Sequence, residues 1–128
     1  MIGRLHCLVL DCAEPGALAG FYAAVLGMEV LGAGDDWAVI GAGSRLPALS
    51  FQRVQPYRAP NWPDGTVPTQ MHVDVLVDDL DEAEPRVLAL GATLLDGSDK
   101  PIGFRVYADP AGHPFCLVTP GSVPWTAA

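Results

Sequence analysis

Apolar and polar positions along this chain follow two rhythms that alternate in the same order twice. Residues 5–11, LHCLVLD, form a short apolar run with the two-residue rhythm of a strand. Cys12-Ala-Glu-Pro interrupts it, and Pro15 suits the first turn of a helix, where a missing N–H costs nothing. Leu18, Phe21, Tyr22, Val25 and Leu26 then recur at three- and four-residue spacing, which predicts an amphipathic helix closed by Gly27. Strands are predicted at 28–32, 37–41 and 48–55. Pro56, Pro60, Pro63 and Pro68 make residues 56–69 a connection, because proline cannot sit in a central strand. The order then repeats. Residues 71–77, MHVDVLV, read as a strand, and Asp79 with Glu82 reads as a capping box. Leu80, Ala83, Val87 and Leu90 form a helical stripe ended by Gly91, with Pro85 expected as a solvent-facing kink. Strands follow at 92–96, 103–108 and 115–119, the last two joined by the breaker cluster Asp109-Pro-Ala-Gly-His-Pro.

The repeat is the main structural inference. Each half opens on a strand with a histidine, His6 or His72, and each continues with a glycine-closed helix and three strands. Gln52 follows Gly27 by 25 positions (52 − 27), and Cys116 follows Gly91 by 25 (116 − 91). One such βαβββ module leaves an apolar sheet face uncovered, so two must pair. The expected class is α+β, two βαβββ modules pairing into a cup-shaped mixed sheet. The 128 residues form a single domain on this reading: module one 1–55, connection 56–69, module two 70–119 and tail 120–128.

Charge narrows the functions. Seven basic residues against fifteen acidic ones give a net charge of −8, which repels phosphate backbones and argues against a nucleic-acid partner. No apolar run reaches the roughly 18 residues of a membrane span. The N-terminus is a poor signal peptide, because Asp11 and Glu14 follow its short apolar run at once. Cys7, Cys12 and Cys116 are odd in number and lack CxxC spacing, which fits reduced thiols and a cytoplasmic protein. Lys100 is the one lysine, so Schiff-base chemistry would rest on it alone.

Two stretches carry a resemblance. Phe21-Tyr-Ala-Ala-Val-Leu-Gly-Met-Glu-Val follows a strand holding His6, and Asp109-Pro-Ala-Gly-His-Pro-Phe-Cys-Leu-Val closes the second half. With Gln70-Met-His-Val-Asp-Val and Asp78-Asp-Leu-Asp between them, the chain resembles the vicinal-oxygen-chelate (glyoxalase and bleomycin-resistance) superfamily, in its glyoxalase-like branch. The resemblance spans essentially the whole chain and implies the cup-shaped fold, a small-molecule ligand and a homodimer. It does not imply one reaction.

The resemblance also implies a divalent metal on the first and last strand of each module. Carried over residue by residue, the candidate ligands are His6, His72, Cys116 and Gln52, with Ser50 the alternative to Gln52 because both share a strand face. Cys116 stands where the family's metal enzymes usually carry Glu. Both histidines are kept and the carboxylate ligands are missing, so the set suits zinc better than magnesium or manganese. A metal-free pocket role for the histidines, and an inert apolar role for Cys116, are the competing readings. Asp74 shares the His72 face and is the candidate catalytic carboxylate; a salt bridge is its simpler role. Candidate ligand contacts are Trp37, Tyr57, Trp62, Ser50 and Arg105, the last to hold a carboxylate at the mouth of the cup. Tyr57 and Trp62 have a plainer alternative, packing the connection onto the sheet or a second subunit. Three functions follow: a metal-dependent lyase or isomerase of an oxygenated metabolite, not a typical glyoxalase I; a metal-free protein that sequesters a drug or metabolite; or a metal-free enzyme that uses His6, His72 and Asp74 as acid–base groups.

Overall fold

The computed structural model describes residues 1–2, 4–43, 45–97 and 103–122. Lys100 and the part of the tail beyond Ser122 lie outside them. The chain divides into two compact units, Met1–Arg58 and Ala59–Ala128.

In the first unit, β1 (Cys7–Cys12) leads to α1 (Pro15–Leu26), then β2 (Glu29–Ala33), β3 (Trp37–Ala42) and β4 (Arg45–Arg53). Pro15 does open the helix, and Gly27 closes it in the left-handed region at φ 65°, a conformation glycine reaches without strain. The sheet order is β1-β4-β3-β2, with β1 parallel to β4 and the other pairs antiparallel. Helix α1 packs on one face of this sheet. There Leu18, Ala19, Phe21 and Tyr22 are buried with Leu10, Ala38, Ile40 and Phe51. The Tyr22 and Phe51 rings stack at 5.9 Å, fixing which side of β4 meets the helix. Strand alternation then sends Ser50 and Gln52 to the opposite face.

The second unit repeats the arrangement. It comprises β5 (Val73–Leu76), α2 (Leu80–Ala89), β6 (Thr93–Asp96), β7 (Phe104–Ala108) and β8 (Pro114–Val118), in the order β5-β8-β7-β6. Asp79 caps α2 as its spacing predicts, accepting from the Glu82 N–H at 3.1 Å. Pro85 is exposed, and the helix runs on through it. Phe115, Leu117, Val75 and Tyr107 are buried on the helix side, and the Tyr107 and Phe115 rings stack at 5.5 Å. Each unit is thus a βαβββ module, as the repeat requires.

Candidate functional site

The face of the second sheet turned away from α2 carries the chemistry. Strands β5 and β8 are parallel neighbours in which Asp74 lies beside Cys116, so both side chains leave on the same face. His72 sits two residues before Asp74, and its Nε2 lies 3.1 Å from Asp74 Oδ1. One donor atom each from His72, Asp74 and Cys116 falls within 4.8 Å of the others, the metal-type cluster found among the described residues. The His72 and Asp74 side chains are about half exposed, at 50% and 43%. Cys116 is partly buried. Burial, with the Asp74 charge adding to it, pushes its thiol up to about 11, so the sulfur stays protonated at neutral pH unless a cation offsets that field.

The matching face of the first sheet is built from the same register and different residues. Val9 lies beside Ser50 and Asp11 beside Gln52 across the parallel β1–β4 pair. Gln52 follows buried Phe51 as Cys116 follows buried Phe115, so the register makes Gln52, rather than Ser50, the counterpart of Cys116. Asp11 then answers to Asp74, and Val9 to His72. Asp11 is a carboxylate that reading from the histidines overlooked; counting back from the two Phe residues finds it. His6 precedes β1 and is out of step with Cys7, Val9 and Asp11, the residues that share a face with Ser50 and Gln52. It is Cys7 that meets Ser50, whose hydroxyl donates to its sulfur at 3.3 Å.

Trp37 extends the first row. It is the antiparallel partner of Gln52 and is itself half exposed, at 52%. Its indole lies over Gly32 and Gly34, where an added Cβ would come within 2.9 and 3.0 Å of the ring. Arg105 goes elsewhere. It pairs with Leu117, not Cys116, and so projects to the α2 side. There it bonds the Asp81 and Glu84 carboxylates and the Leu80 carbonyl, which leaves it as a clamp on α2 instead of the ligand-carboxylate contact anticipated. Tyr57 falls in the first unit and Trp62 in the second, each partly buried. Trp62 rides on a turn fixed by Asn61, whose side chain accepts from the Val67 N–H at 3.0 Å.

Residues 7–118 match the family described as the glyoxalase-like domain. The chain belongs to this family. Solved structures with the same fold include a glyoxalase/bleomycin resistance protein/dioxygenase family enzyme from Burkholderia phytofirmans PsJN (TM-score 0.69, 15% identity, 91% of this chain and 98% of that one). A glyoxalase-related enzyme from Fulvimarina pelagi has a TM-score of 0.68 at 20% identity, covering 98% of this chain and 94% of that one. A genomically encoded fosfomycin resistance protein from Listeria monocytogenes has a TM-score of 0.67 at 14% identity, covering 93% and 94%. None of the curated proteins matches the sequence significantly. The glyoxalase-like domain therefore has the α+β fold of the glyoxalase/bleomycin-resistance group.

The donor chemistry of this glyoxalase-like domain can be tested against the divalent ion its superfamily often holds. Tetrahedral zinc bound to N, O and S at ordinary bond lengths keeps its ligand atoms roughly 3.3–3.8 Å apart. The cluster reaches 4.8 Å at its widest, so closure asks for about 1 Å of side-chain movement. His72 and Asp74, half exposed, have room to make that movement. One imidazole, one carboxylate and one thiol fit a zinc-class ion and leave a fourth position open.

Proposed function

We propose that this glyoxalase-like domain is a lyase or isomerase acting on an oxygenated metabolite, with one divalent ion, zinc by its donor types, held at His72, Asp74 and Cys116. The observation that carries the reading is the convergence of three different donor atoms within 4.8 Å on one sheet face. The bound ion would supply Lewis acidity, polarising neighbouring oxygens of the ligand. Asp74 has two oxygens, and the one near His72 is Oδ1. Its Oδ2 serves as the proton acceptor for a C–H or O–H of the ligand. Before the ion enters, Asp74 holds the His72 ring in place through the 3.1 Å contact. The same reading takes the protein as a cytoplasmic homodimer; its three free cysteines suit a reducing compartment.

The test is metal content. Untagged protein purified without chelator should carry about one zinc equivalent per chain, and added Zn²⁺ should raise the melting temperature of stripped protein. His72→Ala and Cys116→Ser should lose both signals. Stripped protein whose melting point is unmoved by Zn²⁺, Ni²⁺ and Mn²⁺ would count decisively against a metal-dependent enzyme.

A second reading, metal-free sequestration of a drug or metabolite of the bleomycin-resistance type, draws on Trp37. A half-exposed indole beside Gln52 offers a stacking surface for a planar ligand. Under this reading, metal-free protein quenches its tryptophan emission on titration with planar cationic drugs, and Trp37→Ala abolishes the response.

A further inference from the structure

The proline-rich connection holds an Asp64-Gly65 step, one of two Asp-Gly steps in the sequence, the other being Asp96-Gly97. At such a step the chain can cyclise on itself, because glycine has no side chain to keep its nitrogen away from the preceding carboxyl carbon. The two steps sit differently. Asp96 is the last residue of β6 and pairs with Val106 on β7. Asp64 is exposed, in a turn that runs from Asn61 to Val67. The Asn61 N–H donates to the Val67 carbonyl at 2.8 Å, and the Val67 N–H donates to Asn61 Oδ1 at 3.0 Å. Within that frame the Gly65 N–H donates to the Asn61 carbonyl at 3.1 Å, and Gly65 takes the left-handed φ of 72°. Asp64 Oδ1 accepts twice from Thr66, from its hydroxyl at 2.7 Å and its N–H at 2.9 Å. The hydroxyl bond, and then the N–H bond, hold the Asp64 carboxyl below its usual range and so keep it ionised.

We propose that Asp64 is a site of slow isoaspartate formation and that its two bonds from Thr66 set the rate. The carboxylate takes up a proton from solvent. The Gly65 nitrogen bonds to Asp64 Cγ, and the carboxyl hydroxyl leaves with the N–H hydrogen as water, closing a succinimide. Water then adds back at one of the two ring carbonyls. Addition at Cγ restores aspartate; addition at the main-chain carbon gives isoaspartate, with the backbone running through Cβ and Cγ. The water lost is the water regained, and no electrons change hands. In the fold, the Gly65 N–H is committed to Asn61 and the carboxylate to Thr66, so the first step waits for the turn to open locally. The product carries an extra main-chain methylene between positions 64 and 65. That lengthens the turn, breaks its match between Asn61 and Val67, and releases the frame on which Trp62 rides.

The full chain, warmed for several weeks in heavy-oxygen water at mildly acidic pH, tests this. Ring opening writes heavy oxygen into the residue, and peptide mapping with enzymatic methylation of isoaspartyl carboxyls locates it. Folded wild type should accumulate isoaspartate at Asp64 ahead of Asp96. The same chain unfolded in guanidinium chloride should convert Asp64 roughly tenfold faster or more, because the turn no longer has to open. Thr66→Val keeps the backbone donor and loses the hydroxyl, and should speed the folded chain by about 5-fold, the worth of one ordinary hydrogen bond. Asp64→Glu should stay unlabelled at this position, since its ring would need a sixth member. The comparison of folded with unfolded wild type needs no variant. A folded chain that converts Asp96 first, or that leaves Asp64 unlabelled after the unfolded chain has converted, overturns the site. Equal rates in folded and unfolded wild type, or in wild type and folded Thr66→Val, overturn the control assigned to Thr66.

Discussion

At the scale of single residues, the Trp37 indole lies against two glycines of the first sheet's edge, Gly32 and Gly34. Trp37 stands on an exposed strand end, where a large aromatic would ordinarily be free to turn. Gly32 and Gly34 hold it flat by having no side chains, because a methyl group on either would meet the ring at 2.9 or 3.0 Å. The ring is half exposed, so it can swing outward to relieve such a clash instead of forcing the backbone to move. Gly32→Ala should therefore cost little stability, about 1 kcal/mol, at the low end of overpacking penalties. It should red-shift tryptophan emission and raise acrylamide quenching as Trp37 leaves the sheet. Emission and quenching identical to wild type would mean that the indole does not rest on Gly32. Position 116 is decided just as locally: burial, with the Asp74 charge adding to it, pushes the Cys116 thiol up to about 11, which makes it a poor nucleophile in the ion-free chain.

At the scale of elements, α2 is fastened to its sheet mainly by polar contacts, since Val87 is its buried apolar residue. Arg105 reaches Asp81, Glu84 and the Leu80 carbonyl, and the Tyr107 hydroxyl donates to Glu84 Oε1 at 2.8 Å. Burial, and then the Glu84 carboxylate, raise the Tyr107 pKa from 10.0. The neutral phenol is thus favoured in the fold. Its contribution is fully present below pH 10 and is lost as the pH climbs from there toward the folded-state value, because the unfolded chain ionises first. Tyr107→Phe should cost about 1 kcal/mol at pH 7, the usual worth of one such bond. Urea unfolding should show the gap to wild type narrowing above pH 10; a gap that stays constant to pH 11 would refute the role given to this hydroxyl. Arg105 also marks where the sequence stops being legible. Hydrophobic rhythm and the Pro15, Gly27, Asp79 and Gly91 signals place the strands and helices within a few residues, because burial and capping are written locally. Which face a polar strand residue takes depends on register with a partner far along the chain. The Arg105–Leu117 pairing sends Arg105 to α2, and nothing near residue 105 encodes it. His6 raises the same difficulty: a step of three from Val9 reverses the face, while the histidine-led alignment hides Asp11. The His72–Asp74 pair was readable, since a two-residue step at the start of β5 needs no distant partner to fix it.

At the scale of the whole molecule, fifteen acids against seven basic side chains surround whatever the site does. A net charge of −8 repels itself across a fold this small and gathers cations diffusely over its surface. Both effects fade once the screening length falls to about 10 Å, near 0.1 M salt. Raising NaCl from about 0.02 to 0.3 M should therefore raise the melting temperature of the metal-free protein by a few degrees, the shift expected for roughly 1 kcal/mol in a domain of this size. The same series separates two populations of divalent ion. Ions gathered by the acidic field should wash away as salt rises. One equivalent held by an imidazole, a carboxylate and a thiolate should remain, because coordinate bonds are not screened. Zinc retained at 0.02 M and stripped completely at 0.3 M would mean that the diffuse charge, and not the donors at His72, Asp74 and Cys116, was holding it. A melting point that falls with salt would mean that ion pairs such as Arg105 with Asp81 outweigh the surplus of acids in stabilising the fold.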